Sequence, residues 1–444
     1  MKQVFIIFLI ILSGALIFIG FRIYQQKTDL LGVLQANFLP KSAVVTINGK
    51  VYNTRDGILS AKLKTQEYSV SFSYPGYSVV NKVVTIKPRQ ITDLGRIYLF
   101  PQTWPQDQLV ANKDISDFYS NNNNNLIIYF TPLKSGYEWY LYNRSTKNSQ
   151  KFYQSSALPQ AVIFTADAKK LLTMFKENDW KLIFLPGNLV NQEIDLDKRF
   201  ADALKKINLE IKPSPQIKQI VVMPHSQENQ ILVRTLQAVY LFNPLDGSVE
   251  KIIDGFVSPL VLEEKKIFFI KDNGILSSLD LDDKNENQLS FFAFKESNED
   301  LNQIIIKKSL GQDVFLVIKP NGWVYLLNQE HNPPLLLDEH TTDVNFSLSG
   351  NNIILYQTNK ELLIYDLIKD IKTPLDILSD SLPQWFIDDN CFILINDANL
   401  KIYNFNSRET WLITDNLKKE RFLLDNALNY IFFLTPEGIM KTGL

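Results

Sequence analysis

Apolar positions along the chain fall into three regimes. The first is Val4 to Phe21, eighteen residues with Ser13 as the one polar side chain, bounded by Lys2 and Arg22. A membrane-spanning helix needs about 17–25 such residues. A secretory signal would have an apolar core of about 7–15 residues and a small-residue cleavage site, whereas this run leads into Arg22-Ile23-Tyr24-Gln25-Gln26. The pattern predicts an uncleaved single-pass anchor over residues 1–24 in the cytoplasmic membrane, with the bulk of the chain extracytoplasmic. Charge leaves the orientation open, because Lys2 and the terminal amine face Arg22 and Lys27. Gln25, Gln26 and Lys27, followed by Leu30, Leu31 and Leu34 at helical spacing up to Pro40, predict a short stalk over 25–41.

The second regime alternates with period two. Val45 and Ile47 lead to Asn48-Gly49, the pair that supplies the positive φ angles of a two-residue hairpin turn. Strand patterns return at Ser60–Leu63, at Tyr68, Val70, Phe72 and Tyr74, and at Val83–Ile86, with Pro75-Gly76 as a break. Four or five short strands over 42–101 predict a small antiparallel β-sandwich. The segments Val45-Thr46-Ile47-Asn48-Gly49-Lys50 and Tyr68-Ser69-Val70-Ser71-Phe72-Ser73-Tyr74-Pro75-Gly76-Tyr77 resemble the PEGA domain, a small extracytoplasmic sandwich, across roughly Ser42 to Leu99. The tetrapeptide that names that family is absent, Asn53–Ile58 standing in its region, and Gln66-Glu67 replaces its usual glycine. The resemblance implies a spacer or adhesive module at the cell envelope and carries no catalytic residues.

The third regime, over 104–444, is a repeat. One apolar strand recurs from Leu126, Leu171, Ile231, Ile267, Val314, Ile353, Phe392 and Ile431, at intervals of 45, 60, 36, 47, 39, 39 and 39 residues. A partner strand follows each, across turns such as Lys271-Asp272-Asn273-Gly274 and Thr435-Pro436-Glu437-Gly438. About 40 residues per unit is the period of four-stranded propeller blades, so 104–444 predicts a β-propeller of eight blades, with seven as the alternative. After Gly438-Ile439-Met440-Lys441 no residues remain for an outer strand, and Asp107–Ala111 is the expected donor that closes the ring. Openings such as Phe346-Ser347-Leu348-Ser349-Gly350 and Phe164-Thr165-Ala166-Asp167 resemble TolB-like and WD-repeat-like propellers, a superfold that transfers no active site.

The 60-residue interval exceeds the common 39 and predicts a helical insertion over 191–212. Asp195 is a good N-cap, and Leu196, Phe200, Ala203, Leu204 and Ile207 share one face before Pro213 and Pro215. So short a helix is marginal alone, so its stripe must pack, first on its own propeller and alternatively on another domain or partner. Lys198, Asp202 and Lys205 on the other face are the candidate binding residues.

Composition narrows the chemistry. With 46 Lys+Arg against 48 Asp+Glu the net charge is -2, and no segment carries the basic excess of a nucleic-acid binder. Cys391 is the single cysteine, so no disulfide or CxxC site forms within the chain. His331 and His340 have no third ligand at metal spacing and read as surface or turn residues. Asp280–Glu286 is oxygen-rich but lacks a calcium loop's glycine and reads as a solvated turn. Trp139, Trp180, Trp323, Trp385 and Trp411 suit the wedges between blades, with a carbohydrate platform as the alternative; Asn121–Asn125 is a polar loop tip. No nucleophile elbow, phosphate loop or zincin motif occurs. The chain therefore reads as a non-enzymatic envelope protein that presents its propeller to a protein or surface polymer, without cofactor or metal. The alternative is an extracytoplasmic propeller enzyme, a hydrolase or glycan-cleaving protein, with acidic residues at the channel mouth.

Overall fold

The computed structural model describes residues 31–121, 125–176, 179–187, 193–207, 216–224, 229–295, 300–387, 389–425 and 430–443. The expected anchor over 1–24 lies outside them, and among the described residues no helix is long and apolar enough to cross a membrane. The described chain divides into two units, one ending at Pro105 and the other running from Gln106 to Gly443.

Among the described residues the first unit has seven strands: β1 (Leu31–Leu39), β2 (Val44–Ile47), β3 (Lys50–Tyr52), β4 (Ile58–Lys64), β5 (Glu67–Ser73), β6 (Val80–Thr85) and β7 (Ile91–Tyr98). They form two sheets, ordered β4-β1-β7 and β3-β2-β5-β6, with Leu34, Ala36, Phe38, Val45, Ile47, Val70 and Phe72 in one core. The turn between β2 and β3 carries Asn48 at φ 48° and Gly49 at φ 76°, as its sequence requires. The stalk is corrected. From Leu31 onward it is β1, the centre of a sheet, paired antiparallel with β4 (Leu34↔Ala61) and parallel with β7 (Val33↔Ile91). Leu34, Ala36 and Phe38 point inward at period two, and this alternation overrides the helical spacing of Leu31 and Leu34. The sandwich thus begins at Leu31 rather than at residue 42.

The second unit contains eight four-stranded antiparallel sheets in chain order. The eighth is completed from upstream: Asp107–Ala111 pairs with Gly438–Gly443, as Gly438↔Ala111 and Ile439↔Val110. Gly438 is required there, because a Cβ on it would stand 1.9 Å from the Val110 carbonyl oxygen. Each blade's second strand is apolar on both faces, which is why the repeat reads as continuous hydrophobic runs. In Leu126–Leu133, Ile127 and Tyr129 pack toward Phe432 and Leu434 of blade 8, whereas Ile128 and Phe130 pack toward Leu171 and Ile183 of blade 2. In Phe315–Ile318, Phe315 and Val317 face blade 4, and Leu316 and Ile318 face blade 6. Gln106 Nε2, just before the closing strand, donates to Ile413 O of blade 7 at 3.1 Å.

Candidate functional site

The first strands of successive blades touch and form the wall around the axis, among them Val261–Glu263, Ile305–Lys308, Thr341–Phe346 and Gln384–Trp385. Polar contacts stitch this wall from blade to blade. Asp117 receives Lys419 at 3.1 Å and Arg421 at 3.2 Å, joining blades 8 and 1. Lys307 meets Asp343 at 3.3 Å, joining blades 5 and 6. Lys308 binds Glu263 across blades 4 and 5; its side chain is 5% exposed, donates to Gln312 O at 2.8 Å and lies 5.3 Å from the Phe268 ring. Burial pushes the Glu263 carboxyl up, but the Lys308 ammonium and the Gly311 N–H outweigh it and hold the group below the usual range.

An axial cleft of about 720 Å³ opens among blades 5 to 8, and its lining includes Lys307, Leu310, Leu348, Gln384, Leu424 and Asp425. Leu310 is 85% exposed and Leu348 49% exposed, each at the tip of a turn following a first strand. These turns are held firmly. Gly350 N donates back to Ser347 O at 2.9 Å, Gln312 Nε2 donates to Ser349 O at 2.9 Å, and Ser349 N donates to Asp389 Oδ1 of blade 7 at 3.0 Å. Gly350, at φ 78°, lets its turn approach blade 5 closely: a Cβ there would lie 2.4 Å from Ser309 Oγ. The arrangement presents two leucines on a braced frame, which limits the conformational entropy lost when a ligand covers them.

The residues singled out from the sequence occupy other places. The insertion is helix α1 (Leu196–Lys206), capped by Asp195 accepting from Lys198 N at 2.9 Å. Its stripe of Leu196, Phe200, Ala203 and Leu204 is buried in the wedge between blades 2 and 3, with the Phe200 ring 5.2 Å from those of Tyr240 and Phe242, whereas Ile207, expected on the same stripe, is the C-cap residue and stands exposed. Arg199 also donates to Leu245 O at 2.9 Å. Lys198, Asp202 and Lys205 lie on the exposed face, with Lys205 Nζ 3.4 Å from Asp202 Oδ1, an ordinary i,i+3 surface pair. Asp197 is held differently. Burial, with Asp195 and Asp179 nearby, pushes its carboxyl up to about 6, although it accepts from Trp180 N at 2.8 Å.

His331 and His340 sit in turns, their backbone N–H groups donating to Asn328 Oδ1 at 2.7 Å and Asp338 Oδ2 at 3.1 Å. Asp280–Glu286 is a turn closed by its own side chains, with Asp280 accepting from Asp282 N at 2.9 Å and Asp282 paired to Lys265 at 2.7 Å. Trp139, Trp180 and Trp385 are buried and Trp323 and Trp411 half-buried, so the five form no exposed platform. Cys391 is buried, and among the described residues no three His, Cys, Asp or Glu side chains gather as a metal site. Sequence reasoning missed Leu310 and Leu348. Their signal was a lone leucine between turn formers, in Ser309-Leu310-Gly311 and Ser347-Leu348-Ser349-Gly350.

No family model and no curated protein sequence matches the chain. In structure it is similar to the propeller of Dos1, with 13% identity and a TM-score of 0.51 over 77% of this chain and 95% of that one. Looser likenesses include the C-terminal WD40 domain of Sif2, at 11% identity and TM-score 0.48 over 77% of this chain and 99% of that one. Another is dihydro-heme d1 dehydrogenase NirN, at 12% identity and TM-score 0.48 over 68% and 66%. At such identities a likeness speaks to the fold alone. Eight antiparallel four-stranded sheets, closed by an upstream strand and resembling the Dos1 propeller, make the second unit of this chain a β-propeller.

Proposed function

We propose that this chain is a binding protein rather than an enzyme, and that its propeller takes an extended segment of a partner protein in the axial cleft. The observation that carries this reading is the exposure of Leu310 and Leu348 on two turns tied to each other and to blade 7. Leucines held in water on a rigid frame suit an apolar anchor residue of a partner, and Gln384, Lys307 and Asp425 around them suit its polar backbone and flanks. Among the described residues, the lining of the cleft contains one carboxylate, Asp425, and no histidine. That composition favours binding over the acid–base work of the enzyme alternative. The apolar run Val4–Phe21 supports attachment to the cytoplasmic membrane, and this reading puts the folded units outside it. The sandwich, in the role of the PEGA-like spacer it resembles, completes an envelope protein.

The test places a photo-crosslinking residue at position 310 of the full-length protein in its native membranes. One discrete adduct is expected, abolished by Leu348→Asp with no change in melting temperature. Adduct formation that ignores Leu348→Asp would remove the axial cleft from the account.

A further inference from the structure

A second cleft, of about 760 Å³, lies between blades 4 and 5. Phe268 and Leu289 of blade 4 and Phe315 and Leu327 of blade 5 form its apolar part. This cleft and the axial one share a wall, the turn over residues 309–313. Lys308 lines both clefts, Leu310 lines the axial one, and Gly311, next in the chain, lines the second. Blade 4 braces the wall, since Glu263 Oε1 accepts from Gly311 N at 3.0 Å and the same carboxylate binds Lys308. The crest of the wall is open, because a Cβ on Gly311 would meet no atom within 4 Å.

The second cleft is charged unevenly. Its lining holds five carboxylates, Glu263, Glu264, Asp280, Asp282 and Asp313, against the three ammonium groups of Lys265, Lys266 and Lys308, a net charge of -2. Two pairs cancel, Lys308 with Glu263 and Lys265 with Asp282 at 2.7 Å. Glu264, Asp280 and Asp313 are left against Lys266, and Asp313 lies 3.9 Å from the already paired Lys308. An anionic ligand is repelled by this excess and a cationic one is drawn to it. A charged head on an alkyl stem suits both parts of the cleft, the stem against its apolar residues and the head among the carboxylates. We propose that the partner segment, anchored at Leu310 and Leu348, crosses the 309–313 turn and lays a lysine or arginine side chain in the cleft between blades 4 and 5. The inference rests on the axial reading for its anchor. Extended chain advances about 3.3 Å per residue, which puts the basic residue within about four positions of the apolar one.

The experiment titrates purified full-length protein, labelled at leucine methyls, with Nα-acetyl-arginine methylamide, Nα-acetyl-lysine methylamide and the uncharged isostere Nα-acetyl-citrulline methylamide at constant ionic strength. The Leu289 resonances should follow a saturable curve with a cationic probe while those of Leu348 stay in place. The tighter of the two cations names the residue the partner carries. Citrulline should bind about fivefold more weakly, the worth of one exposed ion pair. Glu264→Gln with Asp313→Asn, both at exposed positions, should weaken the cation by a similar factor at an unchanged melting temperature. Equal curves for arginine, lysine and citrulline, an unmoved Leu289, or a variant that binds the cation as the parent does would overturn the site. A second arm reads the path in native membranes: the adduct from a photo-crosslinker at position 310 should fall severalfold when Glu264 and Asp313 are both replaced by Lys. An adduct of unchanged yield would show that the segment does not cross the turn. The titration does not involve position 310, so a missing adduct there is a failure of the axial reading alone.

Discussion

The wedge between blades 2 and 3 and the axial mouth of blades 5 to 8 both depart from the regular blade, and they treat leucine in opposite ways. In the wedge, α1 follows directly on Glu193–Asp195, the described outer strand of blade 2, and fills the gap. There Leu196 and Phe200 are fully buried, whereas at the mouth Leu310 and Leu348 stand in water on short turns. The amphipathic helix is the conspicuous feature of the sequence, yet its apolar stripe is consumed by the propeller's own packing. The inconspicuous turns leave apolar surface in water, and it is there that the proposed partner would bind. Amphipathicity therefore reports a demand for burial; which surface meets that demand is decided by the blades on either side.

The comparison presupposes a closed ring, and breaking the ring should have the largest effect. Deleting Asp107–Ala111 removes the outer strand of blade 8 and uncovers Gly438–Gly443 as a free edge. Calorimetry should show a steep loss of melting temperature together with aggregation, and an unchanged trace would mean that other contacts close the ring. Next in size is Phe200→Ala. Emptying a fully buried aromatic site in the wedge should cost about 3–5 kcal/mol in denaturant unfolding, whereas a cost below about 1 kcal/mol would show that α1 is an appendage.

A smaller effect probes the same wedge through pH. Asp197 has its folded pKa raised from 3.8 to about 6, so the folded state binds the proton more tightly than the unfolded one. Its contribution to stability rises as pH falls from 8 through 6 and levels off near 4. Glu263 and Asp338, held below their usual range, act in the opposite sense. The stability advantage of Asp197→Asn over the parent should therefore be largest at pH 8, shrink as pH falls through 6 and close only below pH 4 in parallel thermal melts. A stability difference independent of pH would place the carboxylate outside the buried setting described. The smallest expected change in stability belongs to the mouth. Leu310→Asp and Leu348→Asp, at exposed turn tips, should each shift unfolding by no more than about 0.5 kcal/mol, and a larger shift would show that these leucines are core after all.

Much of the ring was legible because strands buried on both faces leave unbroken apolar runs, and these recur at the period of a blade. Helix α1 was legible from its cap and its stripe. β1 was not, since Leu30, Leu31 and Leu34 satisfy a helical spacing while Leu34, Ala36 and Phe38 satisfy a strand's, and pairing with the distant β4 and β7 decides between them. The axial cleft was hidden for a different reason. Its walls come from four blades spread between Lys307 and Asp425, and each contributes a short stretch of residues that look ordinary in their own strand or turn.

The central claim is that the partner surface is the axial mouth and not the exposed face of α1. The direct measurement is photo-crosslinking in native membranes from two full-length variants, one with the probe at position 310 and one with it at position 202 beside Lys198 and Lys205. The account predicts a discrete adduct from position 310, lost on Leu348→Asp, and none from position 202. An adduct from position 202 that persists when Leu310 and Leu348 are both replaced by Asp would contradict it and make the Lys198, Asp202 and Lys205 face the binding side.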